Sequence, residues 1–160
     1  LEVARQCKEM GIHVNFAPDN DVNRKPSNPV IGRRSYGEDH KMVARLGIMY
    51  SKGLEDGGVL SVAKYFPVHG DTSTDSHKEL PLINHSKERL DSIEIYPCRE
   101  YINAGLGGRM TAHLNIPVLE KYGSPSSLSK PIVTDLLQKE MGFSGLTFTD
   151  GLAMKGVSDA

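Results

Sequence analysis

Residues 64–77, KYFPVHGDTSTDSH, gather Lys64, Tyr65, His69, Asp71, Asp75 and His77 among Gly, Pro, Ser and Thr. Asp75 stands two residues before His77. On an irregular segment such an aspartate can bond one imidazole nitrogen, fix the tautomer and raise the basicity of the other, which suits general acid–base work near neutral pH. The same pair also describes an ordinary surface contact, so the dyad alone decides little. A second carboxylate, Asp150, ends the strand-like part of FTDGLAM and precedes a glycine. An aspartate there caps a helix by accepting backbone N–H bonds. Placed across a sugar-sized gap from an acid/base, it has the layout of retaining glycoside cleavage. A divalent ion is a further reading. His69, Asp71, Asp75, His77 and His113 are zinc- or manganese-binding types, yet HxDxxxDxH crowds most of them onto one loop.

The elements that must position these residues follow from periodicity. Residues 1–10 read as the end of a helix closed by Gly11, and 12–18 alternate like a strand bounded by Pro18. Residues 19–37 are rich in Asn, Asp, Pro and Gly, hence a long loop. From Glu38 to about Glu55, Val43, Leu46, Gly47, Tyr50 and Leu54 share a helical face, and Gly57 and Gly58 end it. A strand spans 59–66. Ser86 caps a helix running to Gly105, kinked at Pro97, which has no N–H for the ladder. A short strand follows at 108–112, then a helix from Ser129 and Pro131 to Gly142, then a strand at 145–150.

Helix and strand therefore alternate, which implies parallel strands in an open doubly wound sheet or a barrel. Asn15 and Asp19, Lys64 onward, His113 and Asp150 each fall at or just after a strand's C-terminal end. A (β/α)8 TIM-type barrel gathers its active site at that face, whereas an open sheet concentrates chemistry near one switch point. Four successive strands ending in chemistry favour an α/β chain holding part of a barrel, about its middle half at roughly 250 residues per barrel. No GxGxxG or Walker loop opens a helix, which weakens a nucleotide-binding reading.

With 38% hydrophobic and 24% charged residues and a net charge of −1, the composition is that of an ordinary globular chain. There is no basic run for nucleic acid and no apolar stretch approaching the roughly 20 residues of a membrane span. Cys7 and Cys98 lack metal-ligand spacing and read as buried thiols. The chain opens on Leu1 inside a helical pattern and stops at GVSDA, which reads as a portion of a longer protein. Nothing in it separates a cytoplasmic from a periplasmic location.

KYFPVHGDTSTDSHKELP resembles the KHFPGHGDTxxDSHxxLP motif of family 3 glycoside hydrolases, in the branch of bacterial β-N-acetylglucosaminidases that trim peptidoglycan fragments. NFAPDNDVNRKPSNPVIGRRSYGED resembles that family's NFAPvxDVNxNPxNPVIxxRSFGeD, and MTAHLNIP and SSLSKPIVTDLLQKEMGFSGLTFTDGLAM correspond in order. The resemblance covers nearly all of residues 1–160, as one partial catalytic barrel domain. It implies a retaining exo-β-N-acetylglucosaminidase with Asp150 as nucleophile, His77 as acid/base and Asp75 orienting His77. Arg34, Lys64, Tyr65 and His113 would contact the sugar. No metal or other cofactor is implied; the partners are the carbohydrate and the remainder of the barrel. A β-glucosidase or other family 3 glycosidase, or an inactive carbohydrate-binding fragment, are the alternatives. Two positions depart from the motif: Tyr65 replaces a His, and Val68 replaces a Gly.

Overall fold

The computed structural model describes residues 1–25, 27–72 and 79–158. Asp75 and His77 therefore lie outside the described residues. Four strands, β1 (Val14–Asn15), β2 (Leu60–Phe66), β3 (Gly108–Thr111) and β4 (Leu146–Thr149), form one sheet in the order β1-β2-β3-β4. Every pairing is parallel, with Val14 opposite Leu60, Val62 opposite Gly108 and Gly108 opposite Leu146. A strand order that follows chain order, with helices in the connections, is the arrangement of a parallel barrel wall. The outer strands are not neighbours in the sheet, yet the rings of Phe16 and Phe148 meet edge to face with centroids 5.3 Å apart. The sheet is thus curved enough for side chains at its two ends to touch. It is half of a TIM-type barrel.

The helices are α1 (Glu2–Glu9), α2 (His40–Asp56), α3 (Lys87–Arg89), α4 (Tyr96–Asn103), a wide helix Pro131–Glu140 with π-type spacing, and α5 (Lys155–Ser158). Asp39 caps α2, its Oδ1 accepting the Met42 N–H at 2.7 Å. The buried stripe of α2 is Val43, Ala44, Gly47, Ser51 and Leu54, while Leu46 and Tyr50 are only half-buried. Gly47 is required by proximity: a Cβ there would lie 2.3 Å from Asn20 Oδ1. Small residues on this stripe let α2 approach the loop after β1.

Two expectations need correction. The strand expected over 12–18 shortens to Val14–Asn15. Pro18 cannot donate to a ladder, but its carbonyl accepts the Lys64 N–H at 3.0 Å, and Asn20 donates to the Lys64 carbonyl, so pairing resumes at Asp19 opposite Lys64. The helix expected over 86–105 divides into α3, a π-helical turn at Leu90–Glu94, and α4. Pro97 falls in the first turn of α4, where a missing N–H costs nothing, and the turn before it widens so that Ile95 N–H bonds Leu90 O at 2.8 Å.

The main core lies between the sheet and its helices. It joins Val62, Phe66 and Met110 of the strands to Ile95, Cys98, Ile132, Leu136 and Leu137 of the helices. Cys7 and Cys98 are buried and unbridged, as expected. Among the described residues no helix is long and apolar enough to cross a membrane.

Candidate active site

The C-terminal ends of β1, β2 and β4 bring Asp19, Lys64, Tyr65 and Asp150 to one end of the sheet, and the loop after β1 adds Arg34. Consecutive residues of a regular strand point to opposite faces, so Lys64 and Tyr65 should not share a site. The register explains why they do. Ala63 faces Arg109 but Phe66 faces Thr111, so β2 carries an extra residue there. Such a bulge re-aims a side chain, and Lys64 Nζ lies 5.5 Å from the centre of the Tyr65 ring.

Arg34 ties the group together. Its Nη2 donates to the Tyr65 hydroxyl at 3.2 Å and lies 3.3 Å from Asp19 Oδ2, while Nη1 donates to the Val30 carbonyl at 3.0 Å. The guanidinium carbon also sits 5.6 Å from the Tyr65 ring centre. Beside these residues runs an open groove of about 380 Å³, lined by Phe16, Pro18, Asp19, Arg34, Tyr36 and Lys64 among others.

The charges respond to this crowding. Burial pushes the Lys64 ammonium below its ordinary value and the Arg34 charge adds to the push, while Asp19 and Asp150 act in the opposite direction. Burial raises the Tyr65 hydroxyl against the opposing hydrogen bond from Arg34, and Asp150 raises it further. Asp150 thus acts electrostatically on both residues across the face. Asp19 is pushed up to about 8, first by burial and then by Asp21, with Arg34 opposing. Its ion-pair partner Arg34 is raised despite burial, through Tyr65, Asp19 and Asp21. The pair is asymmetric because Asp19 is 4% exposed in its side chain and Arg34 42%. Desolvation therefore outweighs the opposing charges at the acid and is outweighed by acidic and phenolic neighbours at the base.

Asp150 is half-buried at the end of β4. Its N–H donates to the Thr111 carbonyl at 3.0 Å, and its Oδ1 accepts the N–H of Gly151 at 2.9 Å. His113 is placed differently from the other expected sugar contacts. It is buried, with Nδ1 2.6 Å from Ser127 Oγ and Nε2 3.1 Å from the Gly151 carbonyl.

The segment leading toward Asp75 and His77 is held by His69 and Asp71 together with Asp21 and Asn28, which sequence reasoning did not single out. Asp21 is buried; its Oδ1 accepts the N–H groups of His69 at 2.5 Å and Gly70 at 3.1 Å, and its Oδ2 accepts that of Tyr65 at 3.1 Å. Gly70 is needed there, since a Cβ would stand 2.1 Å from the Val22 carbonyl oxygen. Asn28 donates to the His69 carbonyl at 2.7 Å. His69 Nδ1 meets Thr72 Oγ1 at 3.0 Å, and Asp71 Oδ2 bonds His85 Nε2 at 2.6 Å and Arg89 Nη2 at 3.0 Å. Among the described residues Asp71, His85 and Glu94 bring ligand-type atoms within 4.8 Å of one another. Arg89 Nη2 already bonds Asp71 and Glu94, so a protein cation serves that cluster. The sequence signals for Asp21 were two acids within APDNDVN and the Asp of the NFAPvxDVN motif, which falls on it.

The pattern of the glycosyl hydrolase family 3 N-terminal domain matches residues 1–160. The chain belongs to glycoside hydrolase family 3. It is 41% identical to beta-hexosaminidase A of Pseudoalteromonas piscicida, over 98% of this chain and 28% of that protein. The structure of a family 3 beta-N-acetylglucosaminidase from Paenibacillus sp. str. FPU-7 superimposes with a TM-score of 0.96 at 44% identity, covering 98% of this chain and 30% of that one. NagZ from Neisseria gonorrhoeae, in complex with N-trifluoroacetyl-D-glucosamine, gives a TM-score of 0.87 at 33% identity, over 94% of this chain and 43% of that one. The chain thus spans less than half the length of these family 3 relatives.

Proposed function

We propose that the protein containing this chain is a retaining exo-β-N-acetylglucosaminidase that removes terminal β-linked N-acetylglucosamine, with peptidoglycan fragments as natural substrates. The observation that carries this reading is the convergence of Asp150 with Lys64, Tyr65 and Arg34 at the C-terminal face of a family 3 half-barrel. The relatives named beta-hexosaminidase and beta-N-acetylglucosaminidase support the N-acetyl sugar.

The mechanism is a double displacement. Asp150 attacks the anomeric carbon while protonated His77 gives its proton to the departing oxygen; a covalent glycosyl-enzyme results. Neutral His77 then takes a proton from water, which attacks the same carbon and releases the sugar with retained configuration. Asp75 orients His77. An imidazole, with an ordinary pKa of about 6.5, holds both forms near neutral pH. Arg34 and Lys64 donate to sugar hydroxyl oxygens, the only role donor-only cations can take there.

The test is release of a chromophore from its β-N-acetylglucosaminide and its β-glucoside, side by side, by the full-length protein. Preference for the N-acetyl substrate is expected. Preference for the glucoside would move the substrate assignment within family 3, and no release from either by folded protein would end the enzymatic reading. Asp150→Ala is expected to abolish turnover. His77→Ala should mainly slow substrates with poor leaving groups; equal losses for good and poor leaving groups would remove its role as acid.

A further inference from the structure

His113 stands two residues beyond the end of β3, and its ring is enclosed, the residue being 1% exposed. A carbonyl oxygen can only accept, so the contact with Gly151 O requires a proton on Nε2. In the neutral ring Nδ1 is then an acceptor, and the Ser127 hydroxyl donates to it. The Gly151 carbonyl thereby selects the tautomer, and Ser127, on the turn Ser126–Leu128, complements it.

The ladder between β3 and β4 ends just here. Thr111 pairs with Thr149, and the Asp150 N–H bonds the Thr111 carbonyl. Gly151, Leu152 and Ala153 are exposed, so packing does little to fix the turn they form. Two donors reach the Gly151 carbonyl: the Met154 N–H from within the turn, at 3.1 Å, and His113 Nε2 from the segment after β3. The N–H of Gly151 in turn donates to Asp150 Oδ1. Thr111 holds the Asp150 N–H and His113 the Gly151 carbonyl, so the backbone is fixed on both sides of the Asp150–Gly151 peptide, whose N–H bonds the carboxylate.

We propose that His113 is a positioning residue for the nucleophile: by fixing the Gly151 carbonyl it sets the direction in which the Asp150 carboxylate faces the sugar. The proposal rests on the reading of Asp150 as nucleophile. Both ring nitrogens are spent inside the protein, so His113 has no donor left for a hydroxyl. Its effect falls on kcat, since a nucleophile misplaced by about 1 Å costs on the order of 10²-fold.

The experiment uses the full-length protein and a chromogenic aryl β-N-acetylglucosaminide. His113→Phe keeps the bulk and loses the N–H; it is expected to lower kcat about 10- to 100-fold with KM changed less than about threefold. His113→Gln restores an N–H toward Gly151 and should recover about tenfold of that loss. A raised KM with undiminished kcat in His113→Phe, or Gln no better than Phe in folded proteins, overturns the proposal. If His113→Phe fails to fold, Ser127→Ala decides, because it leaves the ring in place and removes the hydroxyl that holds Nδ1 and so the ring's orientation toward Gly151. A several-fold lower kcat is expected of it, and an unchanged kcat overturns the proposal. Asp150→Asn separates the two readings. Full turnover in it removes the nucleophile and the proposal together, whereas an inactive Asp150→Asn beside an unimpaired His113→Phe removes only the positioning role.

Discussion

At position 65 a phenol stands where the family motif has an imidazole. Tyr65 is 7% exposed, accepts a hydrogen bond from Arg34 and has two cations near its ring. An imidazole would offer a shorter reach and a different angle to a sugar hydroxyl. Tyr65→His is expected to shift kcat/KM, or the preference for the N-acetyl sugar over glucose, by about three- to tenfold, the order of one repositioned hydrogen bond. If neither changes, Tyr65 is no sugar contact. Asp19 has a different consequence. With its carboxyl raised from 3.8 to about 8, the folded chain binds more protons than the unfolded one between those values. The contribution of Asp19 to stability therefore falls as pH rises from about 4 to about 8. Asp19→Asn is expected to flatten the melting temperature across that window, and an unchanged slope would show that Asp19 ionises normally.

At the scale of elements, one buried carboxylate links the loop after β1, the end of β2 and the segment toward His77. Asp21 accepts three backbone N–H groups, and hydrogen bonds to a charged group contribute about 1.5–3 kcal/mol each before the cost of burying the charge. Asp21→Asn turns an NH2 toward donors that need an acceptor. A loss of about 2–4 kcal/mol in urea unfolding is expected, together with lower kcat, since the acid/base segment starts at these bonds. Wild-type stability in the variant would show that other contacts, such as Asn28 to the His69 carbonyl, suffice.

At the scale of the whole chain the decisive feature is that, among the described residues, the sheet ends on two strands with one open side each. Among the described residues β1 and β4 each have a strand partner on one side only, and Phe16 and Leu146 there are 48% and 59% exposed. Unpaired parallel edges with apolar neighbours template association. The 160 residues produced alone are expected to self-associate in light scattering at micromolar concentration and to turn over substrate poorly. A monodisperse monomer with full activity would show that the half-barrel is self-sufficient.

The amino-acid order by itself determined the alternation of helix and strand, the placing of polar residues after strand ends, and the motifs that mark family 3. All three are local: periodicity, turn residues and short spacings are written within a few positions of one another. Contacts between distant segments were decided only in the tertiary structure. The extra residue in β2 turns Tyr65 to the side of Lys64, the resumed pairing at Asp19 brings a carboxyl to Arg34, and the parallel pairing of β3 with β4 sets His113 beside the turn after β4. His113 shows the difference. Its place after a strand was legible, but its direction, inward to Gly151, depends on register between parallel strands 38 residues apart. No local pattern encodes such a register, because it is set by the packing of the crossover helices against the sheet.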